Sequence, residues 1–245
     1  MTVLSLLHPR AQTRSLLILF AVGLLVAGLG MTQAGLPLWG GTTIVLGLIA
    51  YPAALKWRDD IARWGLPLAV LGILLALQGF HTVEHVVQYI QFHWLHWPPK
   101  KASGLLSAAN AELVHFVWNW AVCLTVGYLL RAGLRNLWGY LLLAWAFAHT
   151  LEHTYLFLQY VDAVRVLWSQ DAALSFAQGL PGIFGRHGWL DTTGWQYAPT
   201  AFLCRLTPQL ITSTRLDVHF WWNVGETGLL LPFAHVAVRR RIRSS

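Results

Sequence analysis

Apolar residues along this chain come in long runs, not in the short alternations that mark strands. No side chain between Arg14 and Lys56 is charged. A helix needs about 20 residues to cross the hydrocarbon core of a bilayer. This stretch therefore predicts two crossings, broken where Gly35, Pro37 and the Gly40-Gly41 pair favour a turn. The first, over Ser15–Gly30, also has the basic start and apolar centre of a signal peptide. A second apolar run follows directly, so the first is read as a retained helix. Four more spans are predicted over Gly65–Phe92, Asn110–Leu130, Leu137–Tyr160 and Leu216–Val238. Backbone polar groups in lipid leave only helices or closed barrels, and runs this long are too apolar for barrel strands. The expected fold is an all-α polytopic membrane protein with six transmembrane helices.

Composition agrees. The 245 residues are 56% hydrophobic and 11% charged, against about 45–50% and about 25% in soluble domains. Mean hydropathy is +0.51. The formal charge of +7 does not point to nucleic acid, because the basic residues lie between apolar runs. Arg10 and Arg14 precede helix one; Lys56, Arg58 and Arg63 follow helix two. Arg131 and Arg135 follow helix four; Arg239, Arg240, Arg241 and Arg243 follow helix six. With six helices these positions share one side, and the positive-inside rule makes that side the cytoplasm. The expectation is an integral protein of a bacterial-type plasma membrane with both termini cytoplasmic. Lys100, Lys101 and a long loop over 161–215 fall on the other side, and loops of that length are often functional. Cys123 lies in an apolar run and Cys204 in a polar one, so no disulfide is expected.

The chain repeats itself. His81-Thr82-Val83-Glu84-His85 is matched by His149-Thr150-Leu151-Glu152-His153, and Gln91-Phe92 aligns with Gln159-Tyr160 without a gap. Downstream, His115-Phe116-Val117-Trp118-Asn119 is matched by His219-Phe220-Trp221-Trp222-Asn223. The order is the same in both halves, which predicts two parallel repeated hairpins, helices three and four and helices five and six. The domain picture is one membrane domain: a two-helix unit over 1–60, repeat one over 65–131, and repeat two over 137–239 with the loop 161–215 inserted.

Positions i, i+3 and i+4 of a helix share a face. His81, Glu84 and His85 therefore project together, as do His149, Glu152 and His153. His115 and Asn119 share a face of helix four. His219, Asn223 and Glu226 share one of helix six, and Val122 stands where Glu226 has its counterpart. All six histidines fall in the outer half of the membrane. Ionisable residues there carry an insertion cost of about 2.5–3.5 kcal/mol each, and a divalent ion would offset it by taking carboxylates as anions and imidazoles as neutral ligands. The candidate ligands are His81, Glu84, His85, His115, His149, Glu152, His153 and His219, in a mono- or dinuclear site. Asn119, Asn223, Glu226, Thr82, Thr150, Gln91 and Gln159 are candidates for supporting them. Trp118, Trp221 and Trp222 adjoin the stripes and are candidate pocket walls. A metal-free hydrogen-bonded network is the simplest alternative.

Mixed imidazole and carboxylate ligation suits iron, copper or zinc, and haem fits two histidines one turn apart less well. His-x-x-Glu-His also occurs in a class of zinc peptidases, but two copies argue against one hydrolytic site. The functional expectation is a metal-dependent membrane oxidoreductase acting on an apolar small molecule. A divalent-metal transporter or sensor, or a non-catalytic subunit with a partner in a membrane complex, are the alternatives. The lipid bilayer is the expected environment, and no nucleic-acid partner is expected.

Overall fold

The computed structural model describes residues 2–99, 101–106, 112–173, 179–192 and 207–243. Lys100, Asn110, Cys204 and parts of the 161–215 loop lie outside them. Among the described residues there is no strand. A short helix α1 (Val3–Leu7) leads through a single 3-10 turn into α2 (Thr13–Gln33). Then come α3 (Leu38–Trp64), α4 (Leu66–His93), α5 (Glu112–Arg131) and α6 (Leu137–Ser169). Two short helices, α7 (Trp189–Thr192) and α8 (Gln209–Thr212), precede the last long helix, α9 (Arg215–Arg243).

Among the described residues six helices are long, as expected, but four meet the length and hydropathy of a membrane span: Arg10–Gln33, Leu38–Trp64, Leu66–His93 and Glu112–Arg131. The expected count of six is corrected to four on this measure. The reason lies in composition. Helix α6 carries His149, Glu152 and His153, and α9 carries Asp217, His219, Asn223, Glu226 and a basic tail, and neither is among the helices with a sufficiently apolar 18-residue stretch.

Helices α2 and α3 form a hairpin at the periphery. Only Gly23 and Ala27 of α2 are buried, and Leu17, Leu24, Leu25 and Leu29 stand exposed. The hairpin closes on small residues, as lipid-embedded helices do when backbones approach closely. A Cβ on Gly23 would lie 3.1 Å from the Val45 Cα, and one on Gly41 3.3 Å from the Ala27 Cβ. Helix α3 leans on α4, and α4, α5, α6 and α9 make a four-helix bundle.

The bundle pairs differ from the predicted hairpins. Helix α5 packs most closely on α6 and α4 on α9, while the seam between α4 and α5 is the loosest in the ring. Of the two predicted hairpins, α6 and α9 are well packed and α4 and α5 are not, so the repeated arrangement is not confirmed. One half is apolar core: Leu68, Leu71 and Leu75 of α4, Val126 and Leu129 of α5, Leu142 of α6, Phe233 and Ala234 of α9, with Leu6 of α1 plugged among them. Gly139 makes room at this layer, since a Cβ there would lie 2.7 Å from both Leu130 and Phe233 side chains.

Basic residues gather beyond that core. Asp60, 2% exposed, accepts from Arg10 and from Lys56. Lys56 also donates to the Leu6 carbonyl, and the Arg10 guanidinium lies 3.7 Å over the Trp64 ring. Asn136 caps α6 by accepting from the Gly139 amide at 3.1 Å and donates to the Phe233 carbonyl. The opposite end is tied by Arg215, which pairs with buried Glu112 and donates to the Leu180 carbonyl at 2.8 Å.

The loop expected from residue 161 starts later. Helix α6 continues through Val161–Ser169, because Val161-Asp162-Ala163-Val164-Arg165 contains no helix breaker. It stops where Asp171 takes a left-handed φ of 53°.

Candidate metal centre

Polar side chains occupy the other half of the bundle, and nearly all are buried. His85, Glu84, Gln78 and Gln88 come from α4, His115 and Asn119 from α5, His149, Glu152 and His153 from α6, and His219, Asn223 and Glu226 from α9. Each set sits one helical turn apart on the face its helix turns inward, as the i, i+3, i+4 spacing requires.

The six imidazoles form one continuous cluster. Ring centroids are 4.7 Å apart for His81 and His85, 5.6 Å for His81 and His115, and 5.8 Å for His85 and His115. His115 stacks on His153 at 5.1 Å. His153 lies 4.8 Å from both His149 and His219, and His85 stacks on His219 at 6.0 Å. Among the described residues, one group brings its ligand atoms within 4.8 Å of one another: His81, His85 and His115. These three could hold a metal ion. The His81 Nε2 is buried and meets no hydrogen-bond partner. Buried polar atoms left so are rare and call for an explanation.

The two carboxylates expected beside them have another task. Glu84 accepts the amides of Leu105 and Leu106 at 2.7 and 2.9 Å. Glu152 accepts the Ile183 amide at 3.0 Å. Both are buried, and each holds the loop that follows its helix. Gln91 and Gln159 assist. The Gln91 amide donates to the Gly104 carbonyl and accepts the Gly104 amide, the latter at 2.8 Å; Gln159 donates to the Pro181 carbonyl at 2.9 Å. Neither carboxylate belongs to the close group of ligand atoms, so as placed the cluster is imidazole only. Sequence spacing alone could not show this, because it fixes which face a residue shares and not which way the carboxylate reaches.

Glycine enables both clamps. Gly104 has φ +78°, a left-handed conformation favouring glycine, and a Cβ there would collide with the Glu84 carboxylate. A Cβ on Gly182 would collide with Glu152.

The remaining supports are placed as follows. The Asn119 and Asn223 amides donate back to the His115 and His219 carbonyls at 2.9 and 3.0 Å. Thr82 bonds the Gln78 carbonyl and Thr227; Thr150 bonds the Ala146 and Asn119 carbonyls. The threonines therefore brace helices and do not reach the carboxylates. Glu226 is 2.9 Å from the His149 Nδ1 and accepts from Gln78 at 2.8 Å. Trp222 stacks on His149 at 5.2 Å and Trp118 flanks His81 at 5.4 Å, whereas Trp221 is 62% exposed and faces away.

Gln78, Glu112 and Arg215 were not expected at the site. Gln78 was legible, since it lies three residues before His81 on the same stripe. The pairing of Glu112 with Arg215 spans two distant helices and left no local signal. Compared with known proteins, the chain matches no family model, no curated protein and no solved structure. Its function is read from the site.

Proposed function

We propose that this chain is an integral membrane oxidoreductase that holds a redox metal on His81, His85 and His115 and acts on a small apolar substrate. The observation that carries this reading is the convergence of three buried imidazoles, with ligand atoms within 4.8 Å of one another, inside helices apolar enough to span a membrane. Helices α6 and α9 keep their polar residues inward and present Leu141, Phe147, Leu151, Leu158 and Leu231 outward. The basic end faces the cytoplasm by the positive-inside rule, and the cluster lies toward the other face.

Imidazole ligation narrows the metal. Without a carboxylate the two-histidine, one-carboxylate pattern of non-haem iron is lost. Zinc fits imidazole but has no redox chemistry. Copper is the ion we assign. Haem is disfavoured because six rings at 4.7–6.0 Å fill the space a porphyrin would need. Copper held there would supply one-electron steps, and the chain's own residues position the substrate and exclude water.

The route in is the loose seam between α4 and α5. A cavity of about 140 Å³ opens there, its lining combining apolar Leu77, Phe80, Val114 and Trp118 with polar His81, Glu84 and His115. Leu77 and Val114 are about half exposed on the outer surface of the bundle, so in a bilayer the mouth meets lipid. This favours a substrate that partitions into the membrane. A transport path is disfavoured, because the apolar core from Leu68 to Phe233 plugs the bundle beneath the cluster.

The test is metal content and redox response. The purified protein is expected to retain copper after loading and desalting, and His85→Ala and His115→Ala to retain less of it while eluting as the parent does. Its X-ray absorption edge should shift between dithionite and ferricyanide. No retained copper, or an edge that does not move, would end this reading.

A further inference from the structure

The second half of the cluster has a geometry the first lacks. The Nε2 atoms of His149 and His153 face each other at 3.1 Å. Two nitrogens bound to one tetrahedral ion at about 2.0–2.1 Å lie about 3.3 Å apart. The pair thus already has the bite of a chelate. His149 is fixed on every other side. Its Nδ1 meets Glu226 at 2.9 Å, Glu226 is held by Gln78, and the indole of Trp222 lies nearly parallel to the imidazole, at 6°. A histidine that binds metal through one nitrogen usually gives its other N–H to a carboxylate, which sets the tautomer and raises its basicity. Glu226 stands where that carboxylate belongs. His219 lies beside the pair, its ring 4.8 Å from His153 and its buried Nε2 without a hydrogen-bond partner.

We infer that His149 and His153 bind a second metal ion, with His219 as the third ligand once its ring turns toward them and Glu226 as the group that orients His149. This rests on the reading that the imidazole cluster is a metal centre, and adds a separate ion to it. The two halves then contribute three histidines each, and His115 stacked on His153 and His85 stacked on His219 are contacts between them. They are not equivalent. Val122 stands in α5 where α9 has Glu226, so only the second trio has a carboxylate behind a ligand. That places a negative charge beside the second ion and makes it the tighter of the two.

A copper titration of the metal-free, full-length protein tests this, with bound metal counted after gel filtration. The parent should bind two ions per chain. His149→Ala and the larger, polar His149→Gln should each bind one, and His81→Ala should bind one. Glu226→Gln should still bind two, with the affinity of one ion weakened about 10–100-fold. In the parent a chelator should remove the ion on His81, His85 and His115 first. One ion per chain in the parent, lost in His81→Ala and kept in both His149 variants, would overturn the second site and leave the proposed function standing. One ion lost in every histidine variant that elutes as the parent does would also overturn it, in favour of a single shared centre. Two ions with unchanged affinities in Glu226→Gln would overturn the role of Glu226. No ion in the parent would remove this inference and the proposed function together.

Discussion

Replacing Glu84 by Gln separates a loop clamp from a metal ligand. The Glu84 carboxylate, 5% exposed, accepts two backbone amides at 2.7 and 2.9 Å. Glutamine offers one carbonyl oxygen, so one amide keeps a partner and the other faces an NH2 group. A hydrogen bond to a charged acceptor contributes about 1.5–3 kcal/mol, and a buried donor left unpaired costs about 1–3 kcal/mol. The lower part of that combined range, about 3 kcal/mol, is expected because the loop can draw back toward water. For a chain of this size that lowers the thermal midpoint by about 6–12 °C. The assay pairs thermal unfolding in detergent with metal content. The expected result is a lower midpoint with the metal stoichiometry of the parent. Loss of metal at an unchanged midpoint would refute the reasoning, because it would make Glu84 a ligand and not an anchor.

Gly104→Ala should destabilise the same loop by more than about 1 kcal/mol, since it forces a left-handed φ on a Cβ and pushes on Glu84; differential scanning calorimetry checks this, and a neutral result would remove the clamp. Val114→Trp should fill the cavity between α4 and α5 and slow azide binding to the loaded protein at least tenfold, read by stopped-flow absorbance, with metal content unchanged; an unaltered rate would move the entrance elsewhere. Asp60→Asn breaks the buried pair with Arg10 and Lys56, at about 3–5 kcal/mol, and should make the α1 segment sensitive to protease without altering metal binding. Retained protease resistance would show that Leu6 packing alone holds α1.

The long helices were legible because lipid allows few alternatives to a long apolar run. Their ends were less so. Helix α6 outruns its expected end because Val161–Ser169 continues the helix beyond the apolar run, and hydropathy registers the lipid's edge but not the helix's. The inward stripes were legible from spacing alone, and His81, His85 and His115 meet as the i, i+4 rule and the depth of each helix require. What spacing could not assign was partnership. Glu84 and His85 are neighbours on one helix, yet one is bonded to a loop and the other faces the cluster. The recurrence of His-x-x-Glu-His suggested paired hairpins, but spacing along a chain does not say which neighbour a helix packs on, and α5 lies closest to α6. The polar residues that keep α6 and α9 from reading as spans are in part those of the site, turned inward, and in α9 also its basic tail.

The most direct test of the account is an anomalous-difference map from crystals of the copper-loaded protein, collected on both sides of the copper edge. A peak within about 2.2 Å of nitrogens from His81, His85 and His115 is the expected result, with Glu84 and Glu152 still bonded to their loops. A copper-free cluster in crystals whose soak saturates the protein in solution, or a peak held by Glu84 with the Leu105 and Leu106 amides released, would contradict it.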